Sequence, residues 1–347
     1  MANYLAKRFF HLIFILLGVS FISFLLISLT PGDFLTSLTL NPEIPAQTIE
    51  NLRKDFGLDK PWYVQYFKWL YNLSPIGVDL HQKPVHRMVP IYLKFPDFGY
   101  SFSYKIKVTT LIWSRFLNTI MLSLCAEIII WIFAIPLGLL CALKENKLLD
   151  KVISFFAFTG LSVPEVLLGL IALLFAATTQ WFPIGGMTSS NFDELTLFPK
   201  ILDVLHHLIL PAFVLAFTSM AAIIRYARGA FLATLHADFI MALRAKGLPA
   251  RIIIFKHVFK NAVNPLITLF GYSFASLVSS SFIVEVIMSW PGLGLLTLES
   301  MFSKDLFVIN ASVLLATLFL VTGNFIADIL LAIVDPRIRL QKSEPSH

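Results

Sequence analysis

Three carboxylates, Glu127, Glu285 and Asp328, fall within or at the ends of strongly apolar runs. An acid at such depth costs on the order of 3 kcal/mol unless it faces a bundle interior or water. Each is therefore a candidate for a solute pathway or a gate, or else a paired structural acid. Intramembrane hydrolysis, the alternative chemistry, would need paired acids at matching depth or a nucleophile beside a base. Glu127 has no evident partner of that kind. His206-His207 suggests a metal, but no third ligand is near and there is no His-Glu-x-x-His, so both are read as interfacial histidines. The chain also lacks a Gly-x4-Gly-Lys-Ser/Thr phosphate loop. The expectation is thus no catalytic residues, no metal and no cofactor bound by this chain.

The cations are concentrated elsewhere. Arg225, Arg228, Arg244, Lys246, Arg251, Lys256 and Lys260 lie between two long apolar runs. Within them, residues 238–247 are too short and too polar to span a membrane. Asp238 can cap a helix start, and Arg244 and Lys246 complement the dipole at its end. Gly247 suits the left-handed residue that closes a helix, and Pro249 blocks its continuation. Residues 249–261 then read as an interfacial helix, with Ile252, Ile253, Phe255, Val258 and Phe259 mostly on one side. A helix of two to three turns is marginal alone in water, so it must seat in its own bundle or in a partner's groove. An ordinary positive-inside loop is the plainer reading.

These residues must be positioned by membrane helices. The 347-residue chain is 57% hydrophobic and only 14% charged, which excludes a soluble domain. Six apolar runs reach the ~20 residues needed to cross a bilayer, at 9–29, 116–143, 152–181, 207–234, 262–289 and 308–334. Pro136, Pro164 and Pro211 should kink these spans or mark their ends. Lys and Arg crowd one set of short loops, whereas 182–206 and 290–307 hold only Lys200 and Lys304. Both termini are therefore expected in the cytoplasm. That leaves 1–29 as tail and first span, 30–115 as a small extracytoplasmic domain, 116–334 as a five-helix core and 335–347 as a cytoplasmic tail. Within 30–115, residues 50–58 and 62–73 read as helices, the second from Trp62, Tyr66, Trp69, Leu70 and Leu73.

Several motifs in order then resemble the membrane subunits of peptide- and nickel-type ABC importers. Phe239-Ile-Met-Ala-Leu-Arg-Ala-Lys-Gly247, followed by His257, Asn261-Ala262 and Pro265, is similar to the family's cytoplasmic signature. Leu29-Thr-Pro-Gly-Asp33, Phe56-Gly-Leu-Asp-Lys-Pro61, Tyr66-Phe-Lys-Trp69 and Asp97-Phe-Gly-Tyr-Ser101 match along the first third. Glu285, Ser289-Trp-Pro-Gly-Leu-Gly294 and Asp335-Pro-Arg-Ile-Arg339 complete the set. Met241 and Ala242 replace residues that are commonly polar, residues 74–96 look like an insertion, and Glu127 is an uncommon acid. The resemblance implies an all-α permease of six transmembrane helices in a bacterial or archaeal inner membrane. It implies a coupling helix made by Asp238, Phe239, Ala242, Leu243, Arg244, Ala245, Lys246 and Gly247, within a coupling segment 236–261. The implied partners are a second permease chain, one or two ATP-binding subunits that use ATP and Mg, and an external solute-binding protein. The expected cargo is di- or oligopeptide, with nickel chelates and glutathione-like solutes as alternatives.

Overall fold

The computed structural model describes residues 2–32, 34–39, 45–55, 57–78 and 91–334. The helices in chain order are α1 (Ala2–Leu29), α2 (Phe34–Leu38), α3 (Ala46–Asp55), α4 (Trp62–Leu73), α5 (Val108–Leu143), α6 (Leu148–Ser162) and α7 (Glu165–Thr179). They continue with α8 (Leu197–Leu235), α9 (Asp238–Ala245), α10 (Ala250–Ile252), α11 (Phe259–Ile287), α12 (Leu293–Phe302) and α13 (Leu306–Val334). One small antiparallel ribbon, β1 (Ile76–Val78) with β2 (Ile91–Leu93), joins them, Gly77 lying opposite Tyr92. The ribbon occupies part of the expected insertion. Residues 79–90 lie outside the described residues, as do 335–347 with the Asp335-Pro-Arg-Ile-Arg339 motif.

The chain is an all-α polytopic protein. Among the described residues five helical segments are long and apolar enough to cross a bilayer, lying in α1, α5, α8, α11 and α13. The remaining expected span, 152–181, is divided. α6 and α7 have 15 residues each and meet at 104°. At 1.5 Å per residue each is ~22 Å long, less than a hydrocarbon core of about 30 Å. The cause is local. Pro164 donates no N–H and drives the preceding residue to extended backbone, as Val163 shows with φ −81° and ψ 123°. The six spans are reached when this bent pair counts as one. Pro136 and Pro211, by contrast, mark no ends and lie inside continuous helices.

Two compact units divide the chain. One comprises residues 1–117 and 296–318. Its core is Phe24 of α1, Tyr66 and Trp69 of α4, and Leu314 of α13, all buried. Tyr66 and Trp69 are three residues apart, so one face of α4 carries both. The Tyr66 hydroxyl meets Ser20 Oγ at 3.0 Å, and Trp69 Nε1 donates to the Phe98 carbonyl at 3.2 Å. The helix expected over 62–73 thus has those bounds, and it shares its core with the first span.

The other unit comprises 118–295 and 319–347. On α5, Leu122, Ala126, Ile130 and Ala134 recur every fourth residue and are fully buried. They form one stripe against Leu208, Val214, Leu215 and Ile223 of α8 and Leu277 and Val284 of α11. Alanines in that stripe allow close helix approach, the packing mode that replaces hydrophobic collapse inside lipid.

Candidate functional site

The basic segment folds as a short helix held between two long ones. α9 starts at Asp238 with Ala237 at the N-cap position, and no side chain caps it. Asp238 is therefore a first-turn acid favoured by the dipole, rather than the cap expected from its type. The C-terminal end does follow the sequence. Gly247 has φ +76°, its N–H donates to the Arg244 carbonyl at 2.9 Å, and the Leu248 N–H reaches Leu243 O at 3.4 Å. That pair of bonds is a Schellman closure, which needs the left-handed conformation glycine adopts without strain.

The seat of α9 is apolar. Ile240 is fully buried among Leu139 and Ala142 of α5, Ala227 and Phe231 of α8, and Ile253 and Val258, with Leu243 and Leu248 at the edge. Outside lie Asp238, Phe239, Met241, Ala242, Arg244, Ala245, Lys246 and Gly247, all exposed. This outer surface joins apolar Phe239 and Met241 to the positive Arg244 and Lys246.

Residues 249–261 lead into the fifth span as expected, but their apolar residues are arranged differently. α10 runs through a π-helical stretch, residues 253–258, directly into α11. The wider turn brings Ile253 and Val258, five apart, onto one buried side. Ile252 and Phe255 are exposed beside Arg251 and Lys256. The apolar residues of this stretch therefore occupy two sides instead of one.

One cation of the patch is already engaged. Arg228 Nε and Nη2 donate to Asp150 Oδ1 and Oδ2, both at 2.8 Å. Asp150 also accepts the Asn146 N–H at 3.0 Å, which fixes the turn that opens α6. Asp150 was not singled out from sequence. Breaking a mostly buried bidentate pair leaves the other charge poorly solvated. Asp150→Ala is expected to destabilise the protein by about 2 kcal/mol, the Arg228 side being part-exposed. Arg228→Met with Asp150→Leu should recover most of that loss. Thermal midpoints of the two purified variants and the wild type check it.

The three membrane acids take different positions. Glu285 is wholly buried. Its Oε1 accepts from Thr119 Oγ1 at 2.8 Å and Ser281 Oγ at 3.0 Å, and its Oε2 accepts the Gly294 N–H at 2.6 Å. Thr119 Oγ1 in turn accepts the Leu293 N–H at 2.8 Å. The carboxylate thus satisfies the open N–H groups at the start of α12. Asn118 clasps the same turn, donating to Pro291 O at 2.9 Å while its own carbonyl accepts Trp290 Nε1 at 3.1 Å. A Cβ at Gly294 would come within 2.6 Å of Phe282 Cα, so the turn needs glycine there. Glu285 closes a turn from inside the fold, the setting of the paired structural acid that stood beside the pathway reading.

Glu127 is also buried, on the α5 side facing α11. Its Oε1 accepts from Trp131 Nε1 at 2.7 Å and from Ser273 Oγ at 2.5 Å. Its Oε2 has no hydrogen-bond partner among the described residues. Asp328 lies on α13, and its side chain is outside the described residues. His206 Nε2 meets the Trp181 carbonyl and His207 Nδ1 the Asp203 carbonyl, each at 2.8 Å.

A further acid, Asp305, escaped the sequence reading. Buried at the start of α13, it accepts from Ser101 Oγ at 2.7 Å, the Phe102 N–H at 2.8 Å and the Ser103 N–H at 3.2 Å. Tyr104 then donates to Glu299 at 2.5 Å. Burial, together with the adjacent Glu299 carboxylate, pushes the Tyr104 hydroxyl up to about 12. The available signal was an Asp immediately before a long apolar run, the pattern of a helix start.

Residues 134–340 match the family described as binding-protein-dependent transport system inner membrane component, and residues 1–123 match its N-terminal membrane component. The oligopeptide transport system permease protein AppB of Bacillus subtilis (strain 168) is 39% identical over 340 residues, covering 97% of this chain and 99% of AppB. The glutathione transport system permease protein GsiC of Escherichia coli (strain K12) is 31% identical, covering 98% and 99%. Among solved structures, a chain of the inward-facing MetNI methionine ABC transporter aligns with a TM-score of 0.54 at 16% identity. It covers 65% of this chain and 97% of that one, a likeness of fold.

Proposed function

We propose that this chain, which belongs to the family of binding-protein-dependent transport system inner membrane components, moves short peptides as a permease subunit of an ATP-driven importer. It is a multi-pass inner-membrane permease of the peptide type. The observation that carries the cargo assignment is the 39% identity to an oligopeptide permease across 97% of the chain. Glutathione is a second reading, favoured by the 31% identity to GsiC, and it is itself a small peptide.

In this reading ATP is hydrolysed by separate ATP-binding subunits, and a second permease chain completes the path. An external binding protein delivers the solute. Both termini and α9 face the cytoplasm, consistent with the bias of Lys and Arg among the short loops. α9 is the coupling element. Its buried Ile240 ties it to α5 and α8, and its exposed Phe239, Met241 and Arg244 meet the ATP-binding subunit. Closure of the ATP-binding subunits would push on a helix that cannot slide independently of the spans. Rigid transmission of this kind suits alternating access, in which a packed bundle switches between discrete arrangements.

The test is Arg244→Glu in cells producing all partner subunits. Peptide uptake should fall at least tenfold, and co-purification of the ATP-binding subunit should weaken, while the amount of permease in the membrane stays constant. Undiminished uptake and undiminished co-purification would remove α9 from the coupling role. Thermal shifts of the purified binding protein with tripeptide, glutathione and nickel chelate decide the cargo. A response to the chelate alone would overturn the peptide reading.

A further inference from the structure

The unit formed by residues 1–117 and 296–318 contains a cavity of about 600 Å³. That volume lies within the range of pockets for small organic ligands. The cavity is lined by the end of α1, the start of α4 and the turn between α12 and α13. Trp62 and Phe102 give it aromatic surface and Gln65 a polar group. Arg53 and Lys304 bring positive charge, and among the described lining residues there is no carboxylate.

Lys304 is held in place by more than its stem. Its backbone is left-handed, at φ 54°, uncommon for a residue with a Cβ. The next residue, Asp305, is fully buried and bonded to residues 101–103, so the turn cannot relax freely. At the far end Nζ donates to the Pro31 carbonyl at 2.6 Å. Gly32 gives it room, for a Cβ there would stand 3.0 Å from Nζ. A lysine ammonium carries three donors, and one is used by Pro31. Backbone strain of this kind persists where surrounding contacts over-determine it, and it concentrates at ligand sites.

We propose that this cavity binds a small amphipathic carboxylate, with Lys304 pairing the anion and Trp62 and Phe102 covering its apolar part. The C-terminal end of a short peptide has this chemistry. That identification rests on the peptide reading given above. The pocket would serve as a receiving site on the permease itself, so the solute need not be recognised by the binding protein alone.

The assembled importer, reconstituted in nanodiscs without its binding protein, is titrated with the dipeptide Leu-Phe and with its C-terminal amide. The free acid should bind saturably and the amide at least tenfold more weakly. Lys304→Gln should bring the acid to the level of the amide, Lys304→Arg should preserve the preference, and Gly32→Ala should weaken binding of the acid. Equal binding of acid and amide, absence of binding, or an acid unaffected by Lys304→Gln each overturns the assignment. Peptide uptake with the binding protein present is measured alongside. Uptake without direct binding defeats the pocket alone, whereas absence of uptake defeats the peptide reading.

Discussion

Glu285→Ala should strip the permease of much of its stability, whereas Glu285→Gln should be mild. The alanine variant leaves the Gly294 N–H and the Thr119 and Ser281 hydroxyls without the carboxylate that now accepts from all three. The hydroxyls can rotate toward backbone carbonyls, and Ser281 already lies 3.0 Å from Val278 O. The Gly294 N–H is fixed at a buried helix start and cannot turn. Each stranded donor costs about 1–3 kcal/mol, and the cavity adds to that, so a total of roughly 4 kcal/mol is expected. Glutamine can place its carbonyl oxygen toward Gly294 and its NH₂ toward the two hydroxyl oxygens, keeping most of the geometry. Thermal midpoints in detergent, read by size-exclusion fluorescence, separate the two. A glutamine variant as weak as alanine would mean that the negative charge itself holds the turn. An alanine variant as stable as wild type would remove the cap from the stability of this unit.

The same turn shows how far residue types alone could lead. The Ser289-Trp-Pro-Gly-Leu-Gly294 motif and Glu285 were both visible in the sequence, four residues apart, yet nothing in spacing said that one caps the other. Their direct bond is braced by Thr119 and Asn118, more than 160 positions earlier in the chain, and only folding brings α5 to that turn. Local signals fared better. Helix α4 has its expected limits because aromatic spacing, Pro61 and Ser74 all act within one segment. The end of α9 was legible because a left-handed glycine and a following proline are properties of the backbone. Its start was not, since Asp238 fits either the N-cap or the first turn, and only the phase of the buried Ile240 decides between them. The 104° break between α6 and α7 was half-legible. Pro164 marked the place, but hydropathy is blind to direction and ran one span through it. Arg228 reads as patch charge in the sequence because its partner, Asp150, lies 78 residues away.

Ile240→Ala should uncouple transport while sparing the membrane bundle. An eight-residue helix has little stability of its own. What orders α9 is the burial of Ile240 among residues of α5 and α8 and the π-helical stretch. Removing three carbons from a full pocket costs about 2–5 kcal/mol, and the loss falls on the element that depends on the pocket most. A local loss of 2 kcal/mol corresponds to roughly a thirtyfold faster opening of that segment. Amide exchange over 240–247 should accelerate by at least that factor, with exchange in the buried stripe of α5 unchanged. Peptide uptake should fall more than tenfold, since a frayed helix bends under load where a seated one moves its spans. Met241→Ala provides the contrast, for Met241 points outward and 65% of its surface is exposed. It should weaken capture of the ATP-binding subunit yet leave exchange over 240–247 at the wild-type rate. If Ile240→Ala loosens α9 and uptake is nevertheless retained, force does not pass through this helix, and the next surface to test is Arg251 of α10 with Phe255 and Lys256 of the π-helical stretch.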